Sequence, residues 1–388
     1  MKKLCYNIGM IYLDYAAATP VSKKVLESML PYFSENFFNP SAAYLPAKHT
    51  RMIYEDAKNR VAHTIGAKGS DLIITSGATE SINLAFTACK KKCLVLATEH
   101  KAVFENAKRK NFEIIKVDKT GLIDLKDFKE KLNEDVDFVS ISIANNELGT
   151  IQPIAEISEL IRKEKMNRLK NNIKTEIYFH SDASQALNLI DLNVARLGVD
   201  MLTLNAAKVY GPKGVGALYV SHDVRLQPIS VGGGQENGLR SGTENVPAVV
   251  GFAAAVEEAK KHLTFNRKKY ENLVSILREE LKDAVVEPIF LGNKKHYLAN
   301  FLAVSFPGLD AERLIFKLED EEIYVSTGAA CAASKGEKSH VLKAIGLNDE
   351  EINGSLRFSL GESNSEDDMK KVAKTLKKII KDEYERKK

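Results

Sequence analysis

The chain has 388 residues, 44% of them apolar and 28% charged, with 56 basic against 52 acidic side chains and a formal charge of +4. This length suits two packed domains, and the composition excludes a chain that is disordered over most of its length. The charge balance is too mild for a protein built around nucleic-acid binding, so direct nucleic-acid contact is not expected.

The N-terminal stretch up to Asp14 lacks the apolar core of a signal peptide, and no run anywhere approaches a membrane-spanning helix. Four cysteines, Cys5, Cys89, Cys93 and Cys331, do not make a disulfide framework in a chain this long. Cys89 and Cys93 lack the two-residue spacing of a zinc knuckle or redox pair, and they read as buried small hydrophobes. A cytoplasmic protein with reduced thiols and no resident metal is expected.

From Ile11 to Tyr219, short β-rich runs alternate with longer amphipathic stretches. Leu72–Thr75, Cys93–Ala97, Glu113–Val117, Phe138–Ala144, Glu176–His180, Met201–Leu204 and Gly216–Val220 read as strands. Most are unbroken apolar runs, as strands buried on both faces require. Thr50–Ile65, Glu80–Cys89 and Ile154–Lys170 carry helical spacing between them. This alternation predicts an α/β domain with a mainly parallel central sheet.

Pro247 to Val286 is helix-like, with a break expected near Thr264–Asn266. After it come short strands (Asn300–Phe306, Tyr324–Ser326, Ser355–Leu360) and helices (Ala311–Asp320 and the chain's end), which predict a smaller α+β domain. Two basic stretches, Arg162–Lys174 and the final helix, read as solvated helix faces, with a binding patch as the alternative.

Four segments carry chemistry. Lys208 follows the strand ending at Leu204 and precedes the turn Tyr210-Gly211-Pro212-Lys213-Gly214. In open α/β sheets, ligands sit beyond the carboxyl ends of strands, where a desolvated lysine can bind a carbonyl covalently. Taken alone, such a lysine is more often a surface residue. Thr75–Ser81, at a strand-to-helix turn, suits an anion held by backbone N–H groups, with Thr79 as an extra donor. A plain helix cap explains the same residues. Asp182, at the end of the strand Glu176–His180, can pair with a protonated ring nitrogen or simply cap a helix. Cys331, among the small residues of Tyr324–Ser334, suits an exposed thiol on a loop, against the reading of a buried structural cysteine.

Together these segments resemble the cysteine desulfurases of the NifS/IscS type, within the class V, fold-type I aminotransferases. The likeness runs from Tyr12–Pro20 to Ser355–Gly361. It passes through Asn39-Pro40-Ser41, Thr75–Glu80, Glu99–Val103, Asn145–Gly149, Gly232–Glu236 and Arg240–Thr243. The resemblance implies a PLP (pyridoxal 5'-phosphate) enzyme that takes sulfur from L-cysteine and releases L-alanine. It implies a large PLP-binding domain over residues 14–260. Residues 1–13 and 261–388 then form a small domain bearing the cysteine loop, about 324–340.

By the same resemblance, Lys208 holds PLP covalently, Asp182 pairs with its ring nitrogen, and His100 lies over the ring and moves protons. Asn146 and Gln185 meet the ring hydroxyl, with Asn146 also near the substrate. Ala78, Thr79 and Asn205 fall at the phosphate. Thr243 reaches the phosphate of the other subunit's cofactor, which implies a homodimer. Arg357 pairs with the substrate carboxylate. Cys331 accepts the sulfur, with a transient iron–sulfur contact as its one implied link to metal. The acceptors implied are an iron–sulfur scaffold or a tRNA-thiolation enzyme.

One departure stands out. The family reads Ser-x-His-Lys where this chain has Asn205-Ala206-Ala207-Lys208, so an imidazole near the phosphate is replaced by a methyl group. Other class V enzymes (a selenocysteine lyase or an aminotransferase) and a non-catalytic sulfur-relay scaffold are the competing readings. Cys331 argues against the first group, and the intact Lys208, Asp182 and His100 argue against the last.

Overall fold

The computed structural model describes residues 9–327 and 338–388. Twelve strands are formed among them, in chain order β1 (Ile11–Tyr12), β2 (Leu72–Thr75), β3 (Lys92–Leu96), β4 (Asn111–Ile115), β5 (Val136–Ser140), β6 (Tyr178–Asp182), β7 (Met201–Asn205), β8 (Gly216–Val220), β9 (Ile289–Leu291), β10 (Phe301–Ser305), β11 (Ile323–Tyr324) and β12 (Ser355–Ser359).

Seven of these make one sheet in the order β2-β8-β7-β6-β5-β3-β4. Neighbours from β7 to β4 pair in parallel, and only β8 runs against the rest. The expected α/β architecture is therefore present. Alternate side chains enter different cores: Leu94 and Leu96 of β3 join one cluster, while Cys93 and Val95 join another on the opposite face. Two covered faces explain why these strands read as unbroken apolar runs. Cys89 and Cys93 are both buried, as expected of small hydrophobes.

A second sheet, β12-β10-β9, is antiparallel and carries its own apolar cluster with the final helix, Glu366–Lys387. The helix Val246–Leu281 links the two bodies. Its first half, including Val249 and Phe252, packs in the large core, and its second half, including Tyr270 and Leu277, packs in the small one. It runs without interruption through Thr264–Asn266, where a break was expected. Thr and Asn lower helix propensity by only fractions of a kcal/mol, and no Gly or Pro stands there to stop the helix.

The basic stretch is largely neutralised within the chain. Arg162 and Lys163 pair with Glu159, and Lys165 pairs with Asp200. Arg168 is buried, bonding Glu164 and the carbonyls of Asn133, Val136 and Thr175. It is a structural clamp, not a free cation. Among the described residues no helix is long and apolar enough to cross a membrane.

Candidate active site

Because β2, β3, β5, β6 and β7 point the same way, their carboxyl ends deliver five segments to one edge of the sheet. The antiparallel β8 brings its amino end to that edge too. β7 ends at Asn205, whose side chain accepts from the Ala207 N–H at 3.2 Å and starts a tight 3₁₀ turn, Ala206–Lys208. That turn aims Lys208 into a cavity of about 490 Å³. Its Nζ donates to the carbonyl oxygens of Ala16, at 2.8 Å, and Ala17. Gln185 donates to the same Ala16 oxygen at 3.0 Å, so one loop after β1 is held by both residues.

Asp182 is the last residue of β6 and is buried. One carboxyl oxygen accepts from the Ser184 N–H at 2.8 Å and the Ser184 hydroxyl at 2.6 Å. Burial pushes its proton affinity up, while Ser184, His100 and Lys208 act against that rise. Beneath it, His180 is a satisfied core histidine between Ser140 and Thr203, kept neutral by burial at a pKa of about 3.

His100 caps the helix Lys101–Ala107, and its Nδ1 accepts from the Ala102 N–H at 3.1 Å. A nitrogen that accepts from a backbone N–H carries no proton, so the neutral ring has its hydrogen at Nε2. The residue is exposed at its rim, but the imidazole lies on the concave cavity wall. Desolvation there holds it below the usual histidine range, with Lys208 adding to the effect and Asp182 opposing it.

Across the sheet, β2 leads into Ser76 and Gly77, and the helix Ala78–Ala85 begins with no side chain capping it. Its first N–H groups, at Ala78 and Thr79, therefore face the cavity as donors for an anion. Close packing builds this cradle: a Cβ on Gly216 would stand 2.8 Å from the Gly77 Cα and 2.6 Å from the Leu204 carbonyl oxygen. Glu80 would repel an anion here, but it accepts from the Ser76 N–H and from Arg240 at 3.0 Å. Burial pushes its pKa up, and those two bonds outweigh burial and hold it below the usual carboxylate range.

The small sheet supplies Arg357 from β12. Its guanidinium is buried, donates to the Asn146 carbonyl at 2.8 Å and pairs with Asp14. The turn after β5 is pinned by Asn145, whose amide oxygen accepts from the N–H groups of Glu147 and Leu148, both at 2.8 Å.

One cavity thus gathers Ala78, Thr79, His100, Asn146 and Asp182 with Gln185, Asn205, Lys208 and Arg357. Thr243 is not in it. It lies exposed beside a neighbouring cavity of about 230 Å³ that also touches Thr75 and Gly214. Cys331 lies outside the described residues. Sequence reasoning left Asp14, Glu99, Glu147 and His340 without roles. The first three stand inside or beside quoted motifs, which was their only signal.

Glu99 is buried and accepts from the Ser142 N–H at 2.7 Å and from the Ser142 hydroxyl at 2.5 Å. Burial raises its pKa to about 8. It therefore binds a proton in the fold that it loses in the unfolded chain, and folding stability falls as pH rises from the ordinary carboxylate range towards about 8. Glu99→Gln apoprotein should match wild type at pH 5 in thermal melts. At pH 8 it should be more stable, by roughly 3 kcal/mol at about 1.4 kcal/mol per tenfold change in proton affinity. No change in that pH dependence would contradict the assignment.

The Aminotransferase class-V family model matches residues 11–372. A relative from Archaeoglobus fulgidus, cysteine desulfurase IscS 1, is 40% identical over 386 residues, covering 96% of this chain and 97% of its own. Among solved structures, a NifS-like protein superposes with a TM-score of 0.88 at 33% identity, covering 96% of this chain and 99% of that one. A structure of SspA in complex with cysteine gives 0.76 at 34% identity, covering 90% of this chain and 98% of that one. The chain belongs to the class-V aminotransferase family, in its cysteine desulfurase branch, and is a PLP-dependent enzyme.

Proposed function

We propose that this cavity removes sulfur from L-cysteine to give L-alanine, and that Cys331 receives the sulfur as a persulfide for delivery to an acceptor protein. The observation that carries the reading is the convergence of an amine, a buried carboxyl, an imidazole and a buried guanidinium above an uncapped helix start.

These residues fit the cofactor's chemistry. The helix start at Ala78 and Thr79, with Asn205, would hold the phosphate, and Asp182 the proton of the ring nitrogen. Gln185 and Asn146 would flank the ring hydroxyl. PLP, when bound, supplies an aldehyde and an electron-withdrawing ring. Lys208 would hold that aldehyde covalently, and its Nζ, when not so engaged, would take the proton from the substrate Cα. His100, on the wall of the same cavity, would hold a proton at Nε2. Arg357 receives the substrate carboxylate in competition with Asp14, which neutralises the guanidinium until substrate arrives. The solved cysteine complex of SspA, a structural neighbour, supports cysteine as the substrate.

The finer parts of the proposal are a cytoplasmic homodimer, with Thr243 completing the partner's phosphate site, and delivery of sulfur to iron–sulfur assembly or tRNA thiolation. Purified protein given L-cysteine and a reductant should release alanine and sulfide in equal amounts. Alanine without sulfide, or neither, would contradict the proposal.

Ala207 offers the phosphate no side-chain donor, and its N–H already donates to Asn205. A charge-assisted hydrogen bond is worth about 1.5–3 kcal/mol, so Ala207→His should tighten PLP binding roughly tenfold to a hundredfold. Equilibrium titration of apoprotein measures this, and equal affinities would contradict it.

A further inference from the structure

We infer that His340 is a second acid–base residue of this cavity, and that its Nδ1 takes the thiol proton of the cysteine substrate. The inference rests on the proposed desulfurase reading.

His340 begins the short helix His340–Ala344, after Ser339. Its Nε2 lies 2.9 Å from the carbonyl oxygen of Glu99. A carbonyl only accepts, so Nε2 carries the hydrogen of the neutral ring, and Nδ1 is left as the atom that gains or loses a proton. The ring also stands edge-on to Phe104, with centroids 5.0 Å apart and planes at 89°. These two contacts fix it on the wall of the cavity that holds Lys208 and Arg357. The charged and titratable groups facing this cavity besides His340 are Glu80 after β2, Glu99, His100 and Lys101 after β3, Glu147 after β5, Asp182 on β6, Lys208 after β7 and Arg357 on β12. Glu147 is buried and accepts from the Ser339 hydroxyl at 2.6 Å. Burial raises its proton affinity, and the nearby His340 and Arg357 act against that rise.

The chemistry needs such a base. The substrate thiol is mostly protonated at neutral pH, and the persulfide its sulfur becomes is a stronger acid than a thiol, so the transfer gives up a proton to a base. In the transfer, the accepting thiolate supplies the electron pair of the new S–S bond, and the Cβ–S bond breaks with its pair left on carbon. The thiol proton passes to His340 Nδ1. One proton is then gained by Cβ to complete the methyl group of alanine, so the step balances without an added oxidant.

The test compares His340→Gln and His340→Asn with wild type, on cysteine and on selenocysteine. A selenol is a much stronger acid than a thiol and arrives ionised. Gln keeps a donor able to reach the Glu99 carbonyl but has no basic nitrogen. Both variants should lose about 10²-fold in kcat/KM on cysteine and at most about threefold on selenocysteine. Visible cofactor absorption should be unchanged. Equal losses on both substrates, or recovery by Gln alone, would overturn the inference, because the ring would then act only by holding the Glu99 turn. Wild-type protein that releases no alanine from either substrate would overturn the desulfurase reading, and the inference with it.

Discussion

Lys208→Ala protein should lose the visible absorption of covalently held cofactor and release alanine at least about 10³-fold more slowly than wild type. Lys208 has two tasks in this account, covalent attachment and proton removal at Cα, and the other residues of its turn, Ala206 and Ala207, carry no titratable group. The tight turn started by Asn205 sets the direction of Lys208, and the Ala16 and Ala17 carbonyls hold the end of its chain. Its removal leaves the sheet and the anion cradle intact, so apoprotein should still take up PLP without covalent linkage. A small alkylamine added to the variant should restore part of the proton-transfer rate. A variant within about tenfold of wild type would show that the amine is not the base.

Asp182→Ala carries the second large effect. A buried carboxylate aimed where positive charge is held is worth about 10²–10³-fold in rate, and its loss should appear in kcat more than in KM. The same change should not weaken the apoprotein. Burial already raises the proton affinity of Asp182, so its ionised form is a cost to the fold at neutral pH. The variant's apoprotein should melt close to the wild-type temperature at pH 7, relief of that cost being offset by the Ser184 N–H and hydroxyl left without their acceptor, while its turnover collapses. Asp182 also supports the protonated form of His100, so the His100 imidazole should titrate at still lower pH in the variant. Parallel loss of stability and activity would reduce Asp182 to a structural cap.

Much of this site was legible in the sequence because each motif sits at a strand end and the sheet is mainly parallel. Lys208, Asp182, His100 and Thr79 need only that topology to meet, and strand periodicity shows it. What stayed hidden depends on contacts between distant segments. Arg357 reaches Asp14 and the Asn146 carbonyl only because the small sheet folds back over the large one. His340 reads as one polar residue in an apolar run until the structure sets it against Glu99. Glu99 gives no local sign that burial will keep it protonated. The basic stretch reads as a solvated helix face, and only its pairing partners and the burial of Arg168 stay hidden. Glu159 and Glu164 neutralise it from the same helix, but Asp200 and the carbonyls around Arg168 come from elsewhere.

The most direct measurement follows a labelled sulfur atom. Holoenzyme mixed with one equivalent of sulfur-labelled L-cysteine, without reductant, should yield alanine and place the label on the peptide containing Cys331. Cys331→Ser protein should carry none. Alanine formed with the label on another cysteine, or label retained in unreacted cysteine, would contradict the account.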